Sequence, residues 1–175
     1  MPMPPDVTSR LDFETRAVTS ADFPAIEALH DRAFGPGRYA RTAYRIRDGL
    51  PPFSPLCRVA YRDGKLAAAL RMAPITIGGV SGAQLLGPLA VDPALKGLGI
   101  GKALVAEALV AARAAGVRLV VLVGDLPYYE RFGFAVVPAG RLQLPGPVDA
   151  RRLLWLGLGE GAMLGEGYAG VVRGE

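Results

Sequence analysis

Residues 85–102 read LLGPLAVDPALKGLGIGK, an apolar run interrupted by Pro88 that passes through a short loop into a glycine-rich turn and then an alanine-rich helix. A helix start leaves backbone N–H groups without intrahelical acceptors, and Gly97, Gly99 and Gly101 remove side chains that would block approach to them. Such a turn suits phosphate oxygens. The chain is therefore expected to bind a phosphate-bearing ligand, and spacing decides between the known owners of such turns.

A P-loop requires G-x-x-x-x-G-K-[ST], but Lys96 stands five residues before Gly101 and Ala103 occupies the place of the magnesium-binding hydroxyl. A dinucleotide-binding turn requires G-x-G-x-x-G directly after a strand. Here Gly97-x-Gly99 is followed by Lys102, Gly99-x-Gly101 by Leu104, and five residues separate Val91 from Gly97. A nicotinamide-dependent oxidoreductase is thus disfavoured, although Asp125 imitates its ribose-binding acid.

The segment Lys96-Gly97-Leu98-Gly99-Ile100-Gly101 resembles the Gln/Arg-x-x-Gly-x-Gly/Ala pyrophosphate loop of the GNAT N-acetyltransferase family. Some thirty residues on, Tyr128-Tyr129-Glu130-Arg131-Phe132-Gly133-Phe134 resembles that family's Tyr-x-x-x-Gly-Phe signature. The likeness is good over residues 84–134 and looser elsewhere. Lys96 and Leu98 depart from the usual glutamine or arginine and from a frequent arginine, so the loop has one cationic side chain fewer near the phosphates.

The resemblance implies acetyl-CoA as the cofactor, with Lys96, Gly97, Leu98, Gly99, Ile100, Gly101 and Lys102 around its phosphates. It implies that the backbone of Leu89, Ala90 and Val91 pairs with the pantetheine arm as an added strand would. One of those N–H groups would polarise the thioester carbonyl. Tyr129 aligns with the general acid that protonates the departing thiolate, with Tyr128 as its neighbour and rival. The residues themselves support a gap at this point, because Pro88 removes a ladder donor and a strand holding it is not paired normally along its whole length. The general base stays open. Residues 84–91 hold no carboxylate, Asp125 is the nearest candidate by sequence but equally suits the N-cap of the next helix, and water is a third route.

The implied reaction is transfer of an acetyl group to a primary amine on a small molecule or peptide. The alternative is a module of the same fold that binds acyl-CoA without efficient transfer. Which amine is accepted carries no signal in the sequence, and a homodimer stays open.

Composition agrees with a folded, water-exposed enzyme. The chain has 175 residues, 51% hydrophobic and 21% charged, with no uninterrupted apolar run of membrane-spanning length. A flexible proline-rich tail is expected over residues 1–10 and one domain over 11–175, with no secretory signal, hence a cytoplasmic location. The net charge of +4 is scattered, and the densest basic group, Arg38, Arg41 and Arg45, falls on one helical face and reads as solvated. Nucleic-acid and membrane binding are not expected. Cys57 is the single cysteine and His30 the single histidine, which excludes internal disulfides and any thiolate-rich or multi-histidine metal site. Both read as packing residues, His30 on the apolar stripe of a helix beside Phe23, Ile26 and Phe34.

The periodicity predicts an α+β fold: a single mixed, mostly antiparallel sheet flanked by helices, with a splayed parallel pair. Strands are expected over residues 13–18, 57–61, 66–77, 83–91, 118–123, 134–137, 153–158 and 169–173, and helices over 21–34, 99–116 and 128–132. The strand–helix–strand unit around the glycine turn makes 85–91 and 118–123 parallel. Residues 35–55, with an arginine-bearing helical piece over 38–47, read as irregular structure shaping a binding mouth.

Overall fold

The computed structural model describes residues 12–160, 162, 164 and 167–175. The expected tail, residues 1–10, lies outside them. Nine described strands form one mixed sheet: β1 (Glu14–Ala17), β2 (Arg58–Arg62), β3 (Lys65–Ile77), β4 (Val80–Val91), β5 (Leu119–Val123), β6 (Ala135–Val136), β7 (Leu142–Gln143), β8 (Leu153–Gly157) and β9 (Gly170–Gly174). The order is β1-β2-β3-β4-β5-β8-β6, with β9 beside the far end of β3 and β7 beside β9. Helices α1 (Phe23–Phe34), α2 (Thr42–Arg47), α3 (Ile100–Ala114) and α4 (Leu126–Tyr129) flank it.

Local chemistry sets these elements. Asp63 (φ 50°) and Gly64 (φ 72°) make the tight turn of the β2–β3 hairpin, as the Asp-Gly pair predicts. The helix expected from residue 21 begins as a 3-10 turn over Ser20–Asp22 and becomes α-helical at Phe23, with Pro24 in its first turn. Buried Asp22 accepts both Arg16 nitrogens at 2.7 Å, the Thr19 N–H at 2.8 Å and the Tyr61 hydroxyl at 2.7 Å. That one carboxylate ties β1, the start of α1 and β2 together, and its Arg16 bonds hold its pKa far below the usual carboxylate range.

The sheet is buried on both faces at its centre. Val120 and Leu122 of β5 pack with Leu29 of α1 and with Leu104, Val105 and Ala108 of α3, whereas Leu119 and Val121 pack with Ile46 of α2, Tyr168 and Val172. Period-2 alternation thus feeds two separate cores. On α3 the buried positions Ile100, Gly101, Leu104, Val105, Ala108, Leu109 and Ala112 form one stripe, and the small alanines let the helix lie close to the sheet.

One expectation needs correction, and one pairing was not expected. Arg38 does not belong to a solvated face: it is 3% exposed and donates to Asp31 at 2.6 Å and Glu27 at 3.3 Å, while Arg41 and Arg45 are exposed. Charge neutralisation by the acidic side of α1 makes that burial tolerable. In addition, β7 pairs with β9 in a second parallel ladder, two residues long, that no sequence pattern indicated.

Candidate active site

The parallel ladder between β4 and β5 covers only Ala83–Leu119, Gln84–Val120 and Leu85–Val121. Beyond it both strands keep their other neighbours. Leu89, Ala90 and Val91 still pair with Leu70, Ala69 and Ala68 of β3, past a register shift between Leu70 and Met72, and Val123 still pairs with Leu153. The edge of β4 from Leu86 to Val91 that faces β5 therefore has unpaired backbone groups. Pro88 lies in this stretch, and the Gly87–Pro88 bond is cis. The interruption expected from Pro88 is a bulge toward β3 and an open wedge toward β5.

The wedge opens into a cleft of about 900 Å³. At its mouth lies the glycine turn. Ala103 is the first residue of α3 whose N–H finds an acceptor in the turn, the Gly99 carbonyl at 3.1 Å. Among the described residues the N–H groups of residues 97–102 meet no backbone acceptor, and they lie at the positive end of a fifteen-residue helix. Gly97 (φ 84°) and Gly99 (φ 82°) adopt left-handed conformations that other residues disfavour. Gly101 serves differently. A Cβ there would stand 2.7 Å from the Tyr128 hydroxyl and 3.1 Å from Cγ2 of Val91, so its bare backbone keeps the cleft open between α3 and β4.

Of the residues predicted for cofactor binding, Leu89, Ala90, Val91, Lys96, Gly97, Gly99, Ile100, Gly101 and Lys102 all line this cleft. Leu98 does not; its side chain is 45% exposed to solvent. Ile100 lines the cleft although only 1% of it is exposed, because it is also a core residue at the first turn of α3.

Tyr129 and Asp125 line the opposite wall. The Tyr129 ring packs edge-on against Phe134 at 5.8 Å and Tyr128 at 4.9 Å. It lies so close to Gly124 that a Cβ there would come within 2.6 Å of Cε2. Burial, joined by the charges of Tyr128 and Asp125, raises its pKa well above the ordinary phenol value, so it keeps its proton well past neutral pH. Tyr128 is also raised by burial, and its hydroxyl reaches across the cleft to Gly101. Asp125 caps α4 with its backbone, its carbonyl accepting from Tyr128 at 3.0 Å. Its exposed carboxylate instead accepts from Nε of Arg152 at 3.0 Å.

The sequence did not single out Tyr44, Arg47 and Arg152 as cleft residues, yet all three line it. Arg47 is 4% exposed and donates to the Gly87 carbonyl at the bulge. Nothing in the local pattern of α2 marks that arginine, which follows the equally buried Ile46. Among the described residues no cluster of His, Cys, Asp and Glu could hold a metal ion, and no helix is long and apolar enough to cross a membrane.

The family model described as an acetyltransferase (GNAT) domain matches residues 54–136, which contain the wedge, the glycine turn and both tyrosines. The N-acetyltransferase YhbS of Escherichia coli K12 is 36% identical over 117 residues, spanning 65% of this chain and 68% of that protein. A crystal structure of Escherichia coli YhbS in complex with CoA superposes with a TM-score of 0.79 at 28% identity, covering 94% of this chain and 90% of that one. A Brucella melitensis GNAT acetyltransferase in complex with acetyl-CoA gives 0.67 at 33% identity, covering 84% and 88%. The open β4–β5 wedge, the glycine turn at the start of α3 and these similarities together establish that the chain belongs to the GNAT family of N-acetyltransferases.

Proposed function

We propose that this chain moves an acetyl group from acetyl-CoA to a primary amine by direct attack, with Tyr129 as general acid. One observation carries the reading: the unpaired edge of β4 runs directly into the uncommitted N–H groups of residues 97–102, in one cleft with Tyr129. The acetyl thioester supplies an activated carbonyl with a thiolate leaving group. The amides of Gly97 to Lys102, with the charges of Lys96 and Lys102, bind the pyrophosphate. Backbone groups of Leu89, Ala90 and Val91 hold the pantetheine arm, and one of their N–H groups stabilises the oxyanion as the amine nitrogen bonds to the carbonyl carbon. The C–S bond then breaks, and Tyr129, which carries its proton at neutral pH as any phenol does, gives it to the sulfur. Asp125 is the carboxylate offered for the proton the amine must lose, in competition with its pair to Arg152.

Release of free thiol from acetyl-CoA, followed with a panel of amines, tests this. Tyr129→Phe lowers turnover by about 10²- to 10⁴-fold if the tyrosine is the acid. An unchanged rate in the active variant removes it from that role. The second reading, a module that binds acyl-CoA without transfer, is favoured by the absence of any carboxylate in residues 84–91. Tight CoA binding without turnover on any amine would establish it instead.

A further inference from the structure

A second cavity of about 580 Å³ lies behind the bulge of β4, and Tyr44, Arg47 and Pro88 line both it and the cleft. Its walls are of two kinds. Val18, Phe23, Ile26, Phe53 and Leu70 supply an apolar side, with Phe23 and Phe53 in edge-to-face contact at 5.1 Å. The other side carries the guanidinium groups of Arg47 and Arg71.

Among the described residues neither guanidinium has a carboxylate partner. Arg47, almost wholly buried, donates to the Gly87 carbonyl and lies over the Tyr44 ring at 4.6 Å, and its Nε has no hydrogen-bond partner. Arg71 donates to the Pro51 carbonyl at 2.9 Å, and its Nε is likewise buried without a partner. Burial, reinforced by the nearby charge of Arg71, lowers the pKa of Arg47 to about 10. The carboxylates that line the cavity do not relieve this: Glu27 is exposed and taken by Arg38, and Asp48 is exposed. A buried cation without a counter-charge is costly, and an anionic ligand is the usual remedy.

We propose that this cavity is the acceptor pocket, and that Arg47 and Arg71 receive a carboxylate belonging to an amine acceptor whose apolar body packs against Phe23, Ile26 and Phe53. The proposal rests on the acetyl-transfer reading for the role of the pocket, and on the unneutralised arginines for its ligand. A carboxylate fits better than a phosphate. Of the two arginines only Arg47 is almost wholly buried, so a single negative charge suffices to neutralise it, and the planar fork of a guanidinium matches a carboxylate in a bidentate pair. Apolar amino acids are the simplest molecules of this description.

The experiment compares leucine with leucinamide, and includes phosphoethanolamine, in two formats. In the thiol-release assay leucine is expected to exceed leucinamide by about tenfold or more in kcat/KM, a ratio equivalent to about 1.4 kcal/mol. Arg71→Gln is expected to bring that ratio close to one, chiefly through KM, while leaving the affinity for CoA unchanged. In the second format, leucine and N-acetyl-leucine raise the melting temperature of the protein, and leucinamide and N-acetyl-leucinamide do not. Equal use or equal binding of acid and amide, a preference that survives in Arg71→Gln, or preference for phosphoethanolamine overturns the assignment. Loss of CoA binding in the wild-type protein would overturn the transfer reading alone, because the melting comparison reads the anion site without turnover.

Discussion

Replacing Gly101 by alanine separates two consequences of one methyl group. The position is the second residue of α3, where glycine to alanine gains at most the helix-interior value of about 1 kcal/mol by propensity. Against this, the new Cβ would meet the Tyr128 hydroxyl at 2.7 Å, Val91 Cγ2 at 3.1 Å and Leu89 Cδ2 at 3.6 Å. Tyr128 must move, and overpacking of this kind costs about 1–3 kcal/mol. The net loss is therefore at most about 3 kcal/mol, a fall of up to about 12 °C in Tm for a chain of this length. The ligand site suffers more, because the methyl stands where the free amides of α3 face the open edge of β4. The affinity for CoA, measured by titration calorimetry, is expected to fall by about tenfold or more. Adding Tyr128→Phe removes the closest contact and returns stability to the wild-type value or above, but leaves affinity low because Val91 still faces the methyl. Wild-type CoA affinity in Gly101→Ala would refute the placement of the pyrophosphate at this turn.

Three further outcomes are expected. Gly99→Ala, at φ 82° with nothing within 4 Å of the new Cβ, loses about 1–2 kcal/mol in urea unfolding from backbone conformation alone, and Gly99→Asn recovers part of it. Asp22→Asn weakens the bonds to Arg16, Thr19 and Tyr61 and lowers stability by about 2 kcal/mol, discounted because Arg16 is half exposed. The Asp22 pKa is depressed on folding, so its contribution is complete above the unfolded value near 3.9 and is lost as pH falls below it. The wild-type protein should therefore show an acid limb that Asp22→Asn flattens. With its pKa raised by burial, Tyr129 stays protonated through the ordinary phenol value of about 10, so an alkaline loss of turnover centred there, present in wild type and absent in Tyr129→Phe, would contradict the enclosed site.

Much of the site was legible because it is built from consecutive residues. The glycine turn, the start of α3 and the Tyr-x-x-x-Gly-Phe segment are local features, and backbone conformation at Gly97 and Gly99 follows from the residue type that can adopt it. Pro88 announced an interrupted ladder for the same reason. Leu98 fell outside the cleft because a loop position near a ligand can still turn its side chain to solvent. The helical piece expected over residues 38–47 is two short helices broken at extended Arg41, so Arg38, Arg41 and Arg45 share no helix face, and Arg38 is buried rather than solvated. Whether an arginine on a short helix is solvated depends on what folds against it, and Glu27 and Asp31 of α1 enclose Arg38 from across the loop.

The sequence by itself pointed to the family and located the glycine turn, the principal strands along the chain and the tyrosine beside the cleft, since each rests on spacing along one chain. Tertiary structure alone decided that β4 and β5 part after Leu85 and Val121, that Gly101 is bare because Tyr128 and Val91 crowd it, and that Arg47 meets Arg71 in an apolar cavity behind Pro88. Those are contacts between residues far apart in sequence. Their energies depend on burial and on neighbouring charge, neither of which a linear pattern of residue types contains.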